Sequence, residues 1–163
     1  MRDEVDSLIE AWERERPDLQ YDSLAVLSRV SRLARHLDRA RKATFAAHDL
    51  EPFEFDVLTA LRRAGAPYEL SPGALITLTL VTSGTMTNRL DRLEQRRLVT
   101  RRRDPADGRG VLVRLTAKGR TRVDTAFAEL LRRENDLLAG LSERQRQALA
   151  TALRTVLAPF DAS

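Results

Sequence analysis

Apolar residues recur along most of this chain at intervals of three and four, the spacing that gathers them on one side of an α-helix. The first stretch covers residues 3–15, where Val5, Leu8, Ile9 and Trp12 form a stripe and Pro17 ends the run. A long helix is predicted from an N-cap at Asp22 or Ser23 to about His48, with Leu24, Leu27, Val30, Leu33, Ala34, Leu37 and Phe45 inward and many arginines outward. Pro52 opens a third helix over 52–64, Gly65-Ala66-Pro67 ends it, and Tyr68-Glu69-Leu70 reads as a connector. Ser71-Pro72 then starts a short helix to Thr79, a turn follows at Leu80-Val81, and a fifth helix spans 82–97 with Thr82 or Ser83 as its cap. The period changes only after Leu98. An extended run begins at Leu98-Val99-Thr100, Asp104-Pro105-Ala106-Asp107-Gly108 has strong turn chemistry, and Val111 to Leu115 alternates as a returning strand. Helical spacing resumes at Thr116 and carries Val123, Phe127, Leu130, Leu131, Leu137 and Leu138 up to Gly140. Ser142-Glu143-Arg144-Gln145 has the form of a capping box, opening a last helix with Leu149, Leu153, Val156, Leu157 and Phe160 at helical spacing.

This order predicts a mainly α chain with a small β-hairpin wing. In the helix over 82–97, Met86, Leu90 and Leu93 fall in one narrow stripe that must face a core, while Gly84, Asn88, Asp91 and Gln95, flanked by Thr85 and Arg92, occupy the opposite side. Such a face has little to bury but can donate and accept hydrogen bonds, and an exposed helix of this kind is sized for a DNA major groove. A short helix, a tight turn, a polar-faced helix and a charged hairpin together form the winged helix-turn-helix pattern. Asn88 and Arg92, with Thr85, are expected to read bases, and Ser83 and Thr87 to join the contact. Arg102 and Arg103 in the hairpin and Arg109 at its tip are expected to engage phosphate or the minor groove.

Charge sharpens the picture. From Arg89 to Arg122 the chain holds twelve basic and four acidic side chains, a net of +8, so all other residues together carry −4 of the overall +4. A modest total thus hides a concentrated basic stripe, the footprint of a phosphate-binding surface. With 163 residues, 42% of them hydrophobic, the chain can fill one core with protruding arms. It divides on the sequence into an N-terminal helix and linker (1–20), a long helix (21–51), the DNA-binding region (52–116) and C-terminal helices (117–163). No apolar run approaches the ~20 residues that cross a bilayer, and the acidic N-terminus lacks a signal-peptide core, so a cytoplasmic protein with no membrane partner is expected. Cysteine is absent and His36 and His48 are the only histidines. No disulfide, thiolate metal site or typical zinc site is expected, nor any catalytic centre or cofactor. The first and last helical regions are each too apolar on one face to be left exposed, which suggests a homodimer joined by the chain ends.

The wing segment RRRDPADGRGVLVRLTAKG resembles the MarR family of bacterial transcription regulators, through Asp107, Arg109, Leu115, Thr116 and Gly119. The resemblance covers nearly the whole chain and implies an obligate dimer with intertwined N- and C-terminal helices and two winged helices facing DNA. A narrower resemblance rests on the tryptophan of the first helix, the FEFDVLTALRR and SGTMTNRLDRLE segments, and an arginine in the first wing strand. It is to the urate-responsive subfamily of PecS-, HucR- and TamR-like regulators. By motif, the effector site of that subfamily and its link to DNA fall on Trp12, Asp56, Arg89 and Arg101. The residues alone leave two readings open: an anion site, or a packing tryptophan beside a structural Asp56–Arg89 ion pair. The function implied is that of a repressor which binds a pseudo-palindromic operator as a homodimer and is released by a small planar anion such as urate. Alternatives are a MarR regulator answering to another anionic or phenolic effector, and an effector-independent nucleoid-like DNA-binding protein.

Overall fold

The computed structural model describes residues 2–105, 107 and 110–161, and its chain forms two compact units, Met1–Pro52 and Phe53–Ser163. In the first, α1 (Glu4–Glu15) lies against α2 (Asp22–Ala47). Asp3 caps α1 by accepting from the backbone N–H of Val5 at 2.8 Å and Asp6 at 3.1 Å, and Asp6 reciprocates to the Asp3 N–H at 2.8 Å. The α2 side chain Arg29 holds the same two carboxylates, at 2.8 and 2.9 Å from Asp3 and 2.6 Å from Asp6. A helix of 12 residues is marginal alone in water; burial of Val5 and these charge-assisted bonds keep it formed.

Two expectations for α2 need correction. Its N-cap is Tyr21, with no side-chain cap, and Asp22 is already helical, where its charge complements the helix dipole instead. The hydroxyl of Tyr21 is engaged elsewhere, donating to the carbonyls of Trp12 and Arg16 at 3.2 and 2.8 Å. Of the stripe expected to face inward, Phe45 is buried but Leu27, Val30 and Leu33 stay exposed. Length explains much of this: at ~1.5 Å per residue, the 12 residues of α1 cannot cover the 26 of α2.

The second unit runs α3 (Pro52–Arg63), β1 (Glu69–Leu70), α4 (Pro72–Thr79), α5 (Ser83–Gln95), β2 (Val99–Arg103), β3 (Val111–Leu115), α6 (Ala117–Leu137) and α7 (Glu143–Asp161). Glu69-Leu70, expected as a connector, is a short strand. It covers the free edge of β3, giving an antiparallel sheet in the order β1-β3-β2 with Glu69 opposite Arg114 and Thr100 opposite Arg114 from the other side. Period-two alternation sends Val99, Val113 and Leu115 into the core, where they join Leu58, Leu61, Leu75, Met86, Leu90 and Leu93.

Local chemistry sets the joints. Ser71 caps α4 with proline at its first position, and Leu80 ends it in the left-handed region at φ 53°. Thr82, the first of the two expected caps, starts α5. Thr116 both caps α6, accepting from Gly119 N–H at 2.9 Å, and donates to the Leu98 carbonyl at 3.0 Å. That contact brings α6 so close that a Cβ on Gly119 would lie 2.1 Å from the Leu98 oxygen, so only glycine fits. Arg96, at the end of α5, ion-pairs with the fully buried Glu54 of α3. The expected capping box at α7 is present, with Ser142 N–H donating to Gln145 at 2.8 Å and Gln145 N–H to Ser142 at 3.4 Å. In α6 and α7, Phe127, Leu131, Leu137, Leu149, Val156, Leu157 and Phe160 remain exposed, Phe160 to 74%.

Candidate nucleic-acid interface and effector site

Helix α5 packs on α4 and β2 through Met86, Leu90 and Leu93, none more than 1% exposed, and this burial fixes which way its other side points. Ser83, Gly84, Thr85, Thr87, Asn88, Asp91, Arg92 and Gln95 are all exposed. Thr82 and Thr85 share a hydroxyl hydrogen bond of 2.9 Å, and Thr87 donates back to the Ser83 carbonyl at 3.1 Å. The helix therefore offers solvent a continuous row of amide, hydroxyl and guanidinium groups, the donors and acceptors that major-groove base edges match.

The wing carries its arginines on two faces. Arg101 shares the parity of Val99 and turns toward α5, where Nη1 donates to Asp91 at 2.6 Å and to Glu94 at 2.9 Å, and Nη2 to the Thr87 carbonyl at 3.4 Å. Its backbone N–H donates to Glu94 as well, at 3.1 Å. One residue thus ties the first wing strand to the helix along two of its turns. Arg103 has the same parity and is exposed. Arg102 has the opposite parity; its fork donates to both oxygens of Glu69, at 2.8 and 2.5 Å. The paired guanidinium holds the Glu69 carboxyl below its ordinary range against the opposing effect of burial. Arg109 lies outside the described residues.

Of the four expected effector residues, Asp56, Arg89 and Arg101 belong to the second unit and Trp12 to the first. Trp12 is 47% exposed on α1. Burial pushes the Asp56 carboxyl above its ordinary range, and the positive charge of Arg89 pulls it part of the way back. Among the described residues no hydrogen bond joins the two, so the Asp56–Arg89 ion pair that the sequence left open as one of two readings is an attraction at a distance rather than a contact. Arg89 instead sets its guanidinium over the Phe53 ring, 5.3 Å from the centroid, and Arg92 does the same at 4.8 Å. Asp56 also lines a pocket of about 400 Å³ with Phe55, Thr59, Arg62, Val123 and Phe127. Arg62 ion-pairs with Asp124 there, at 2.8 Å. The sequence reading missed this pocket, because Phe127 fell on the apolar period of α6 and read as core, and it missed Phe53 as a platform. For Phe53 the sequence offered an aromatic residue three positions before Asp56 and two arginines spaced three apart on another helix; that they meet is seen only in the fold. Among the described residues no cluster of His, Asp and Glu is arranged to hold a metal ion, and no helix is long and apolar enough to cross a membrane.

The transcriptional regulator PecS of Dickeya dadantii is 35% identical over 153 residues, covering 94% of this chain and 92% of its own. The chain belongs to the MarR family. A MarR family profile matches residues 48–110, from just after α2 to just before β3. As a MarR-family protein it is a DNA-binding transcription regulator and not an enzyme. A mutant of E. coli MarR complexed with operator DNA superposes with a TM-score of 0.66 at 26% identity, covering 85% of this chain and 99% of that one. Bordetella bronchiseptica BpsR, whose structure concerns regulation of DNA binding by 6-hydroxynicotinic acid, superposes at 0.59 with 30% identity over 78% of this chain and 98% of its own. The mainly helical fold with its small antiparallel sheet agrees with that expected from the sequence.

Proposed function

We propose that this MarR-family regulator is a repressor that binds a pseudo-palindromic operator as a homodimer and lets go when a small planar anion, urate or a close relative, binds near Asp56 and Arg89. One observation carries the reading. Asp56 is held above its ordinary pKa by burial, and the cation that offsets this belongs to α5, the helix with the exposed reading face. A negative charge arriving beside this pair competes with Asp56 for Arg89, so its binding energy acts on the recognition helix without an intermediary. Arg101, tied to Asp91 and Glu94, carries any shift of α5 into the wing. Similarity to PecS supports the subfamily, and 6-hydroxynicotinic acid, the regulator of DNA binding in the BpsR structure, is itself a planar anion. The exposed apolar positions on α1, α2, α6 and α7, among them Val30, Leu33, Phe127, Leu131 and Phe160, support the dimer.

The test uses Trp12, the only tryptophan. Titrating urate into the protein on an operator duplex should quench Trp12 fluorescence saturably and lower operator affinity over the same concentrations. Arg89→Ala should lose the response, once its DNA binding has been checked. Unchanged operator affinity with urate, xanthine and 6-hydroxynicotinate would reject the anion-released reading and leave the DNA-binding function in place.

A further inference from the structure

Two guanidiniums share one aromatic ring at the junction of the helices proposed to sense and to read. Phe53 is in the first turn of α3, and from α5 both Arg89 and Arg92 set their charges near its centroid, at 5.3 and 4.8 Å. The two arginines are three residues apart, one helical turn, so they stand side by side on α5 and can reach the same partner. They differ in surroundings. Arg92 is exposed beside Asn88 on the reading face, while Arg89 is half-buried and feels the charge of Asp56, one turn after Phe53 on α3. The negative face of a benzene ring attracts a cation but is limited in extent, and two like charges drawn to it repel each other. The position of one guanidinium therefore depends on how firmly the other is held.

We propose that Phe53 is a positioning residue for sequence reading: its ring fixes the guanidinium of Arg92 and, by being shared, couples that guanidinium to Arg89. The inference rests on the reading of α5 given above and deepens it, since it names the side chain through which a change at Arg89 reaches a base-reading group. An anion that draws Arg89 off the ring changes the hold on Arg92 even if the backbone of α5 stays still.

The test compares binding to an operator duplex, enriched from a randomised library on the intact protein, with binding to its scrambled counterpart. Arg92→Ala should lower the operator-to-scrambled ratio. Phe53→Leu, which keeps the apolar bulk and removes the ring, should lower it roughly two- to fivefold, the range of an exposed cation–π contact; Phe53→Tyr should restore it. Because a leucine could also disturb α3, the same measurement with 3,4,5-trifluorophenylalanine at position 53 keeps the shape of the ring and removes its negative face, and should lower the ratio as Phe53→Leu does. Arg89→Met, measured without effector, should change the ratio when Phe53 is present and leave it unaltered in the Phe53→Leu background. An unchanged ratio with Phe53→Leu and with the fluorinated ring, alongside a lowered one with Arg92→Ala, overturns the role of Phe53 alone. An unchanged ratio with Arg92→Ala overturns both this inference and the assignment of Arg92 as a reader. Equal effects of Arg89→Met in the two backgrounds overturn the coupling.

Discussion

At Asp56, burial and charge act in opposite directions and burial prevails, so the carboxyl titrates above its ordinary value of 3.8 despite Arg89. The sign of the consequence follows from linkage. An acid whose pKa is raised by folding holds its proton more tightly in the native state, so its contribution to stability declines as pH rises from 3.8 through the raised value, and at neutral pH the charged form is a net cost. Asp56→Asn should therefore melt at or slightly above the temperature of the wild type at pH 7, by a small margin because solvent reaches the group, and the difference should vanish at pH 3. A clear fall in melting temperature at pH 7 would mean that Asp56 is a stabilising partner of Arg89 instead. A carboxylate that is neutral or unfavourable for folding, yet feels a cation of α5, fits the effector role proposed for Asp56.

Among the elements, the tie between α5 and the wing is the most exposed to test. Arg101 ion-pairs with Asp91 and Glu94, two carboxylates on the helix proposed to face DNA. Arg101→Met should leave the helical content intact and weaken operator binding about tenfold, equivalent to the ~1.5 kcal/mol of a hydrogen bond to a charged group. The loss should shrink as salt is raised, since the repulsion it uncovers is screened. Equal binding by variant and wild type at low salt would remove Arg101 from the interface.

The elements themselves were largely legible, and for identifiable reasons. Helix α5 and its inward stripe could be read because Met86, Leu90 and Leu93 recur at helical spacing against a polar background, and each is buried. The hairpin was marked by Asp104-Pro105 and by the alternation of Val111 to Leu115, both local signals. Two-residue β1 was not legible, because a strand so short has no period and exists only through pairing with β3. The N-cap of α2 was misplaced because Asp22 and Ser23 are both good cap residues and the choice depended on Tyr21, whose hydroxyl is held by the carbonyls of Trp12 and Arg16. Residue types at the proposed site were readable by resemblance, but the distance between Asp56 and Arg89 was not: sequence can say that a carboxylate and a guanidinium share a region, while the Phe53 ring decides where the guanidinium rests.

For the molecule as a whole, the exposed apolar side chains on α1, α2, α6 and α7 are suited to cover a partner, and a second copy of the chain is the proposed one. Sedimentation at micromolar concentration should give a dimer, and removal of residues 1–15 should leave a weaker dimer held by the C-terminal helices; a monomeric intact protein would refute this arrangement. Two copies of α5 then demand operator half-sites separated by about one helical turn of DNA or a multiple of it. If the exposed side of α5 reads the sequence while the wing contributes charge, Asn88→Ala and Arg103→Ala, each measured on operator and scrambled duplexes over a range of salt, separate the two roles. Asn88→Ala should cost roughly 1–3 kcal/mol on the operator and little on the scrambled duplex, whereas Arg103→Ala should weaken both alike and flatten the salt slope. If Asn88→Ala leaves the ratio between the two duplexes unchanged, the reading face has been assigned to the wrong surface.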